Sequence, residues 1–90
     1  MIYNSNLKRI DNKIDLTISE AKIFETLLKY NGRPITLYKI VEEIHIDSKF
    51  KHIEEGSIRV YTAKLNKKIG GIIKNKRCFG YYIEEEVKIY

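Results

Sequence analysis

The residues of this sequence with the strongest chemical signal are cations that crowd into one stretch, residues 56 to 82. This stretch contains no acidic residue and seven basic ones, namely Arg59, Lys64, Lys67, Lys68, Lys74, Lys76 and Arg77. Up to residue 55, nine basic residues balance nine acidic ones, and the last eight residues carry a net charge of −2. The net charge of +5 therefore arises in one segment, and a polyanion such as nucleic acid is its leading partner.

Other kinds of site find little support in the same sequence. His45 and His52 lie seven residues apart, with no cysteine or further histidine at ligand spacing, so no metal site is predicted. Cys78 is the only cysteine and has no partnered base, so neither an internal disulfide nor a nucleophile is expected. No glycine-rich phosphate loop, triad order or apolar pair of carboxylates is visible. We expect neither an enzyme nor a cofactor.

Helical periodicity places the cations on one side of a helix over residues 57–69. With Ser57 as N-cap, one face is apolar and is formed by Ile58, Thr62, Leu65 and Ile69. The opposite face consists of Val60, Ala63, Lys64 and Lys67. Two glycines then end the helix, and apolar positions flank the polar run 74–77, which predicts a hairpin with an exposed basic turn.

The rest of the chain must support this helix and hairpin. Short alternations in residues 2–16 predict two or three antiparallel strands. Thr17 and Glu20 form a capping box for a first helix, and Thr36 caps a second helix with apolar residues at i, i+3, i+4 and i+7. A loop is predicted over 45–53 and an acidic tail over 84–90, in which Glu84 to Glu86 are solvated. This order predicts an α+β winged helix-turn-helix with an N-terminal sheet, three helices and a terminal hairpin, the wing.

Length and composition limit the organisation of the chain. Ninety residues allow one domain, 1–90, divided into N-terminal strands (1–16), a three-helix core (17–69), a wing (70–83) and the tail (84–90). No apolar run approaches the roughly 20 residues of a membrane span, and the N-terminus lacks the apolar segment of a secretory signal. We expect a cytoplasmic protein with no membrane partner.

Several motifs make the sequence similar to a known family, the OmpR/PhoB-type winged-helix DNA-binding domains of bacterial response regulators. Leu16, Thr17 and Glu20, followed by Leu27 and Leu28, resemble the family's LT..E...L opening. The run 31–36, NGRPIT, is similar to the turn before its second helix, and 57–70, SIRVYTAKLNKKIG, resembles its recognition helix. Ile73 with Arg77, Phe79, Gly80, Tyr81 and Ile83 resembles its closing wing.

The resemblance implies a role for particular residues. Val60 and Lys64 would face the major groove, with Asn66 and Lys67 beside them, and Arg77 would reach the minor groove. Thr36 and Tyr81 would contact phosphates. The remaining residues of the predicted DNA-binding surface are Arg59, Ala63, Lys68 and Lys76. Three positions depart from the family, because Asn66 replaces an arginine, Arg59 an aspartate and Cys78 a glycine, which leaves the target sequence open.

The same resemblance suggests further partners and a context. The loop 45–53 would meet RNA polymerase, and two copies would assemble as a tandem dimer on direct repeats. No receiver domain precedes the strands within these residues, so the chain is either a free-standing regulator or a domain of a longer protein. The function predicted is a sequence-specific, double-stranded DNA-binding transcriptional regulator, with helix 57–69 in the major groove and the basic wing 74–79 beside it.

Two alternatives to duplex DNA binding are considered, and only the first remains open. The first is a winged-helix module that binds protein, such as a phage or plasmid product directed at host RNA polymerase or a host regulator, since the fold alone does not determine function. The second is an RNA-binding module. Stacking of single-stranded bases requires several aromatic side chains on one basic sheet, and only Tyr81 and Tyr82 qualify, which disfavours RNA.

Overall fold

The computed structural model describes residues 1 to 90, which form six short strands, three α-helices and one 3₁₀ turn. In chain order these are β1 (Ile2–Asn4), β2 (Arg9–Ile10), β3 (Ile14–Asp15), α1 (Ile18–Lys29), α2 (Leu37–His45), the 3₁₀ turn (Ser48–Phe50), α3 (Glu55–Lys68), β4 (Ile73–Lys76), β5 (Gly80–Ile83) and β6 (Lys88–Ile89). The predicted order of strands, three helices and hairpin is confirmed. None of the helices has the length and apolar content needed to cross a membrane.

The three helices enclose one apolar core, which the N-terminal strands and the base of the hairpin complete. Its fully buried members include Tyr3, Phe24, Leu27, Ile40, Ile44, Ile58 and Leu65. The predicted capping box is present at the start of α1. The Glu20 N–H donates to the Thr17 hydroxyl over 3.1 Å, and the Thr17 N–H donates to the Glu20 carboxylate over 2.9 Å. These bonds satisfy two of the N–H groups that a helix start leaves without intrahelical partners.

The N-terminal sheet has four strands in the order β3-β2-β1-β6, so the prediction that residues 84–90 form a tail is wrong for its last residues. Lys88 and Ile89 pair in parallel with Ile2 and Tyr3. The Lys88 N–H donates to the Met1 carbonyl over 2.9 Å, and the Tyr90 N–H donates to that of Tyr3 over 2.8 Å. Only Glu84 to Glu86 remain as an exposed acidic segment, because the apolar residues after them follow the edge of β1.

The start of α3 lies earlier than predicted. Its N-cap is Glu54, not Ser57, and the Ile58 N–H donates to the Glu54 carbonyl over 3.1 Å, so Gly56 and Ser57 lie in the first turn. The Glu54 backbone is extended and its side chain makes no capping bond, which left no sequence signal for this boundary. The helix ends at Lys68, and Ile69 is its C-cap.

Two further predicted boundaries are corrected. The segment 45–53 is not an irregular loop throughout, because His45 is the last residue of α2 and Ser48–Phe50 form the 3₁₀ turn. The side chain of Phe50 packs into the core and the Asp47 carboxylate caps the turn, which gives this connection a fixed shape. In the wing, residues 74 to 76 belong to β4, so the turn of the hairpin is formed by residues 77–79.

Candidate nucleic-acid interface

The outer face of α3 is exposed and basic. The buried residues of this helix are Ile58, Thr62 and Leu65, which recur at helical spacing and pack into the core. On the other side, the exposed residues include Arg59, Val60, Ala63, Lys64 and Lys67. Half of the Val60 surface, 50%, is open to solvent, although valine is usually buried in a domain of this kind. The helix therefore presents a cationic surface with one methyl-bearing side chain near its middle.

Lys68 lies on the flank of α3 that packs toward α1, and it does not join this surface. Its ammonium donates to the Glu20 carboxylate over 2.7 Å and to the Asp15 carbonyl over 3.2 Å. Burial alone raises the pKa of Glu20, but the hydrogen bonds from Lys68 and from the Thr17 N–H outweigh it and hold that pKa below its ordinary value. Lys68 thus neutralises the buried carboxylate of the α1 capping box.

Asn66 lies on the opposite flank of α3, against the hairpin. Its side-chain N–H donates to the Ile73 carbonyl over 3.1 Å, and the Ile73 N–H donates to its side-chain oxygen over 2.8 Å. Both polar atoms of the amide are therefore in use within the chain. Of the residues predicted to bind DNA, Asn66 and Lys68 are the two whose side chains the structure directs to other parts of the fold.

The wing carries the second group of exposed cations. Lys74, Lys76 and Arg77 are exposed, and the Lys76 ammonium lies 5.1 Å from the centroid of the exposed Phe79 ring. The turn is closed by the Phe79 N–H, which donates to the Lys76 carbonyl over 2.9 Å. Arg77 is therefore the first residue of the turn, at the end of the hairpin farthest from the Ile73–Ile83 pair.

The wing is joined to the start of α2 by a short backbone bridge. The Ile35 N–H donates to the Tyr81 carbonyl and the Tyr81 N–H donates to the Ile35 carbonyl, each over 2.8 Å. Gly80 makes this approach possible, because a Cβ at this position would lie 2.2 Å from the Ile35 carbonyl oxygen. The bridge brings Tyr81 close to Thr36, whose hydroxyl caps α2 by accepting from the Lys39 N–H over 3.1 Å.

A groove of about 230 Å³ separates the helix from the hairpin. The residues that line it are Arg59, Thr62, Ala63, Asn66, Ile73, Asn75 and Tyr81. Three of them, Thr62, Ile73 and Asn75, are not among the residues predicted to bind DNA. Thr62 and Ile73 were assigned to apolar positions, and Asn75 was missed because residues 74–77 were assigned to a turn. Its place opposite Tyr81 in the β4–β5 ladder puts both side chains on one face of the hairpin.

The cations of the interface make no ion pairs within the chain. All six ion pairs of the structure use other basic residues, namely Lys8, Arg9, Lys22, Lys29, Lys39 and Lys68. The six cations Arg59, Lys64, Lys67, Lys74, Lys76 and Arg77 are exposed without an acidic partner. Their charges are thus available to an external anion. No group of three or more histidine, cysteine, aspartate or glutamate residues is arranged to hold a metal ion.

This arrangement of a four-stranded N-terminal sheet, three helices and a C-terminal hairpin is the winged-helix fold of response-regulator effector domains of the OmpR/PhoB type. A solved structure described as the C-terminal domain of the nisin resistance regulator NsrR, a lantibiotic response regulator, superposes with a TM-score of 0.73. The match covers 86% of this chain and 81% of that chain, at 25% sequence identity.

This structural likeness confirms the resemblance inferred from the motifs. The matched domain belongs to a response regulator, which agrees with the prediction that the chain is not an enzyme. No protein-family model and no curated protein sequence matches the chain. The likeness is therefore carried by the fold and by a quarter of the aligned residues.

Proposed function

We propose that this chain is a double-stranded DNA-binding transcriptional regulator, in which α3 enters the major groove and the wing contacts the flanking backbone or minor groove. The observation that carries the proposal is the set of six exposed, unpaired cations on α3 and the adjacent hairpin. The major groove of B-DNA, about 12 Å wide, admits one α-helix of this size. The similarity to the C-terminal domain of a response regulator supports the same function.

The proposed contacts follow from where the side chains lie. Lys64 and Lys67 would contact phosphates and base edges from the outer face of α3, with Arg59 beside them. Val60 offers methyl groups that suit apolar contact with thymine. Because lysine discriminates less well among bases than bidentate arginine, we expect phosphate contacts to contribute a large part of the affinity.

Thr36 and Tyr81 would extend the interface toward the phosphate backbone. The bridge between Ile35 and Tyr81 holds the start of α2 beside the hairpin. The N-terminus of α2 and the Tyr81 hydroxyl would therefore meet the same strand that the wing follows. Lys76 and Arg77 would contact the flank of the site, whereas Asn66 and Lys68 are left out of the proposed contact surface because of their internal bonds.

We propose that the protein acts in a bacterial cytoplasm and that the connection between α2 and α3 contacts RNA polymerase there. Ile46 is the most exposed large apolar side chain of the protein, with 76% of its surface open, and it lies at the C-cap of α2. A bacterial one-hybrid assay with Ile46→Ala and Lys51→Ala tests this role, and Phe50 is spared because it packs in the core. Activation that survives both changes, at equal DNA binding, would remove the proposal.

A gel-shift experiment on a random-sequence duplex at low salt tests the proposed function. Wild-type protein should bind, and the double variant Lys64→Glu plus Lys67→Glu should not, since two attractive charges become repulsive. The matched control is Lys13→Glu plus Lys49→Glu, which reverses two exposed cations outside α3 and the wing. Lys49 lines a groove with Lys8 and Glu25 that contains no residue of α3, so it lies away from the candidate interface.

The two double variants carry the same net charge, so the comparison separates position from total charge. We expect the control to retain most of the affinity. Equal loss in both variants would indicate binding by bulk charge alone. Absence of duplex binding by the wild type, together with capture of a specific protein partner, would favour the protein-binding module instead.

Assembly on DNA is the remaining part of the proposal. We propose that two copies occupy adjacent half-sites as a tandem dimer, by analogy with the family that the chain resembles. Selection of bound sequences from a random pool would show a direct repeat if this holds. A single half-site in the selected sequences would show that one copy suffices.

A further inference from the structure

The hairpin is hydrogen-bonded at both of its edges, to the segment before α2 on one side and to α3 on the other, and each attachment uses one N–H donor and one carbonyl acceptor from either partner. On the β5 edge, Tyr81 exchanges two backbone hydrogen bonds with Ile35. On the β4 edge, Ile73 exchanges two hydrogen bonds with the side-chain amide of Asn66. A side-chain amide has one donor and one acceptor group like those of a peptide unit, so Asn66 acts as a one-residue neighbouring strand.

The backbone of Asn66 is held at the same point. Its carbonyl accepts from the Gly71 N–H over 2.8 Å, which closes the turn that ends α3. Gly70 and Gly71 both have positive φ and lead directly into the hairpin. Asn66 therefore contacts the turn through its main chain and the first residue of β4 through its side chain.

No other side-chain hydrogen bond joins α3 to the hairpin. The remaining side-chain bonds of the helix run from Thr62 to Ile58 within α3 and from Lys68 to residues near α1. On this side, a single amide provides the only side-chain hydrogen bond between α3 and β4, and it acts together with the apolar packing of Ile73 in the core. Without it, the β5 edge would stay bridged to Ile35, but the two glycines that connect the helix to β4 would give the β4 edge more freedom to shift relative to the helix.

We propose that Asn66 is a positioning residue that sets the wing against the recognition helix, and thereby fixes the spacing between the major-groove contact and the flanking contact on DNA. This inference rests on the proposed function. It takes the place of the major-groove contact that the resemblance implies for Asn66, because both polar atoms of the amide are bonded to Ile73 and the side chain is only partly exposed.

A double-mutant cycle between Asn66 and Arg77 tests the inference, with affinity measured by fluorescence anisotropy on a duplex selected by the wild type from a random pool. Arg77→Ala should lower the affinity about tenfold, the usual effect of one charge-assisted contact. Asn66→Ala should lower it by a similar factor when Arg77 is present. In the Arg77→Ala background the same change should have a smaller effect, about two- to threefold, because only Lys74 and Lys76 of the wing contacts remain to be misplaced.

Two outcomes of the cycle would overturn the inference. One is an equal loss from Asn66→Ala in both backgrounds, which would mean that Asn66 acts on DNA independently of the wing. The other is no loss at all in either background. If the wild type selects no duplex, the proposed function fails, and the positioning role is then judged by the second measurement alone.

That second measurement is amide hydrogen exchange by nuclear magnetic resonance, without DNA. Asn66→Ala should speed exchange at the Ile73 N–H and along β4, and leave Leu65 in the core protected. Asn75→Ala is the matched control, since it removes an amide from the same groove that makes no hydrogen bond in the structure. Asn66→Ser, which is too short to bridge both Ile73 groups, replaces the alanine variant if that one does not fold. Unchanged exchange at Ile73 would contradict the role.

Discussion

The ammonium of Lys68 lies 2.7 Å from the carboxylate of Glu20 and joins the end of α3 to the start of α1. Lys67, the preceding residue, makes no ion pair and is exposed on the outer face of the helix. A step of about 100° along the helix separates a lysine that stabilises the scaffold from one whose charge is unpaired and open to solvent. The basic stretch of the sequence therefore contains residues with two different tasks.

We expect Lys68→Ala to lower the free energy of unfolding by about 1 to 2 kcal/mol, since it leaves the buried Glu20 carboxylate without its cation. The loss is smaller than for a fully buried pair because the Lys68 side chain is partly solvated. Lys64→Ala, the matched control, should change stability by less than about 0.5 kcal/mol. Urea unfolding of both variants checks this, and equal stability of the two would contradict the assigned roles.

The same pair predicts a dependence of stability on pH. The pKa of Glu20 is lower in the folded than in the unfolded protein, so its stabilising contribution is complete above the ordinary carboxylate pKa. It is lost as the pH falls through the folded value. In Lys68→Ala this acid-induced loss of stability should be smaller. If the free energy of unfolding falls equally with decreasing pH in the wild type and in Lys68→Ala, the pair does not contribute.

Gly80→Ala should displace the wing. The new Cβ would lie 2.2 Å from the Ile35 carbonyl oxygen, and the φ of Gly80, +112°, is strained for any residue with a side chain. We expect a loss of about 3 kcal/mol or more in unfolding free energy, from the strain and the broken bridge to Tyr81. Chemical denaturation measures the loss, and a variant as stable as the wild type would show that the bridge is dispensable.

Gly56→Ala should have the opposite effect. Gly56 lies in the first turn of α3, and a Cβ there would meet no atom within 4 Å. Alanine favours the helix and reduces the freedom of the unfolded chain, so we expect a gain of about 0.5 to 1 kcal/mol. The midpoint of urea unfolding should rise with an unchanged slope. A lowered midpoint would argue that the helix begins after residue 56.

Cys78→Gly should also stabilise the protein. Cys78 lies in the turn of the wing with a φ of +71°, a conformation that favours glycine over residues with a Cβ. Glycine relieves this strain but also adds conformational freedom to the unfolded chain. The net gain in the free energy of unfolding should be about 0.5 to 1 kcal/mol. Thermal unfolding under reducing conditions measures the change. A decrease in the melting temperature would show that the thiol makes a contact of its own.

The local signals of the sequence predicted most of the fold. The Thr17–Glu20 capping box, the Thr36 cap and the apolar spacing of α1 and α2 depend on residues within a few positions of one another. The pairing of β6 with β1 was not predictable in this way, because Ile2 and Lys88 lie at opposite ends of the chain. The start of α3 was missed because Glu54 makes no side-chain cap.

The candidate site was predictable to a similar extent. Exposure of Val60, Lys64 and Lys67 follows from helical periodicity, and the structure agrees. Asn66 and Lys68 have the same polar character in the sequence, but their partners are set by tertiary packing, at Ile73 and at Glu20, 48 residues away. Periodicity identifies the outer face of a helix. Whether a polar residue on either flank stays free or bonds within the fold depends on the elements that pack beside the helix.

The salt dependence of duplex binding tests the central claim most directly. If about four to six phosphates are neutralised by the cations of α3 and the wing, the logarithm of the affinity should fall against the logarithm of the salt concentration with a slope of about −4 to −5. Removing two of these contacts with Lys64→Ala plus Lys67→Ala should make the slope shallower by about 2. A flat salt dependence of the wild type, or a slope that the double variant leaves unchanged, would contradict the account.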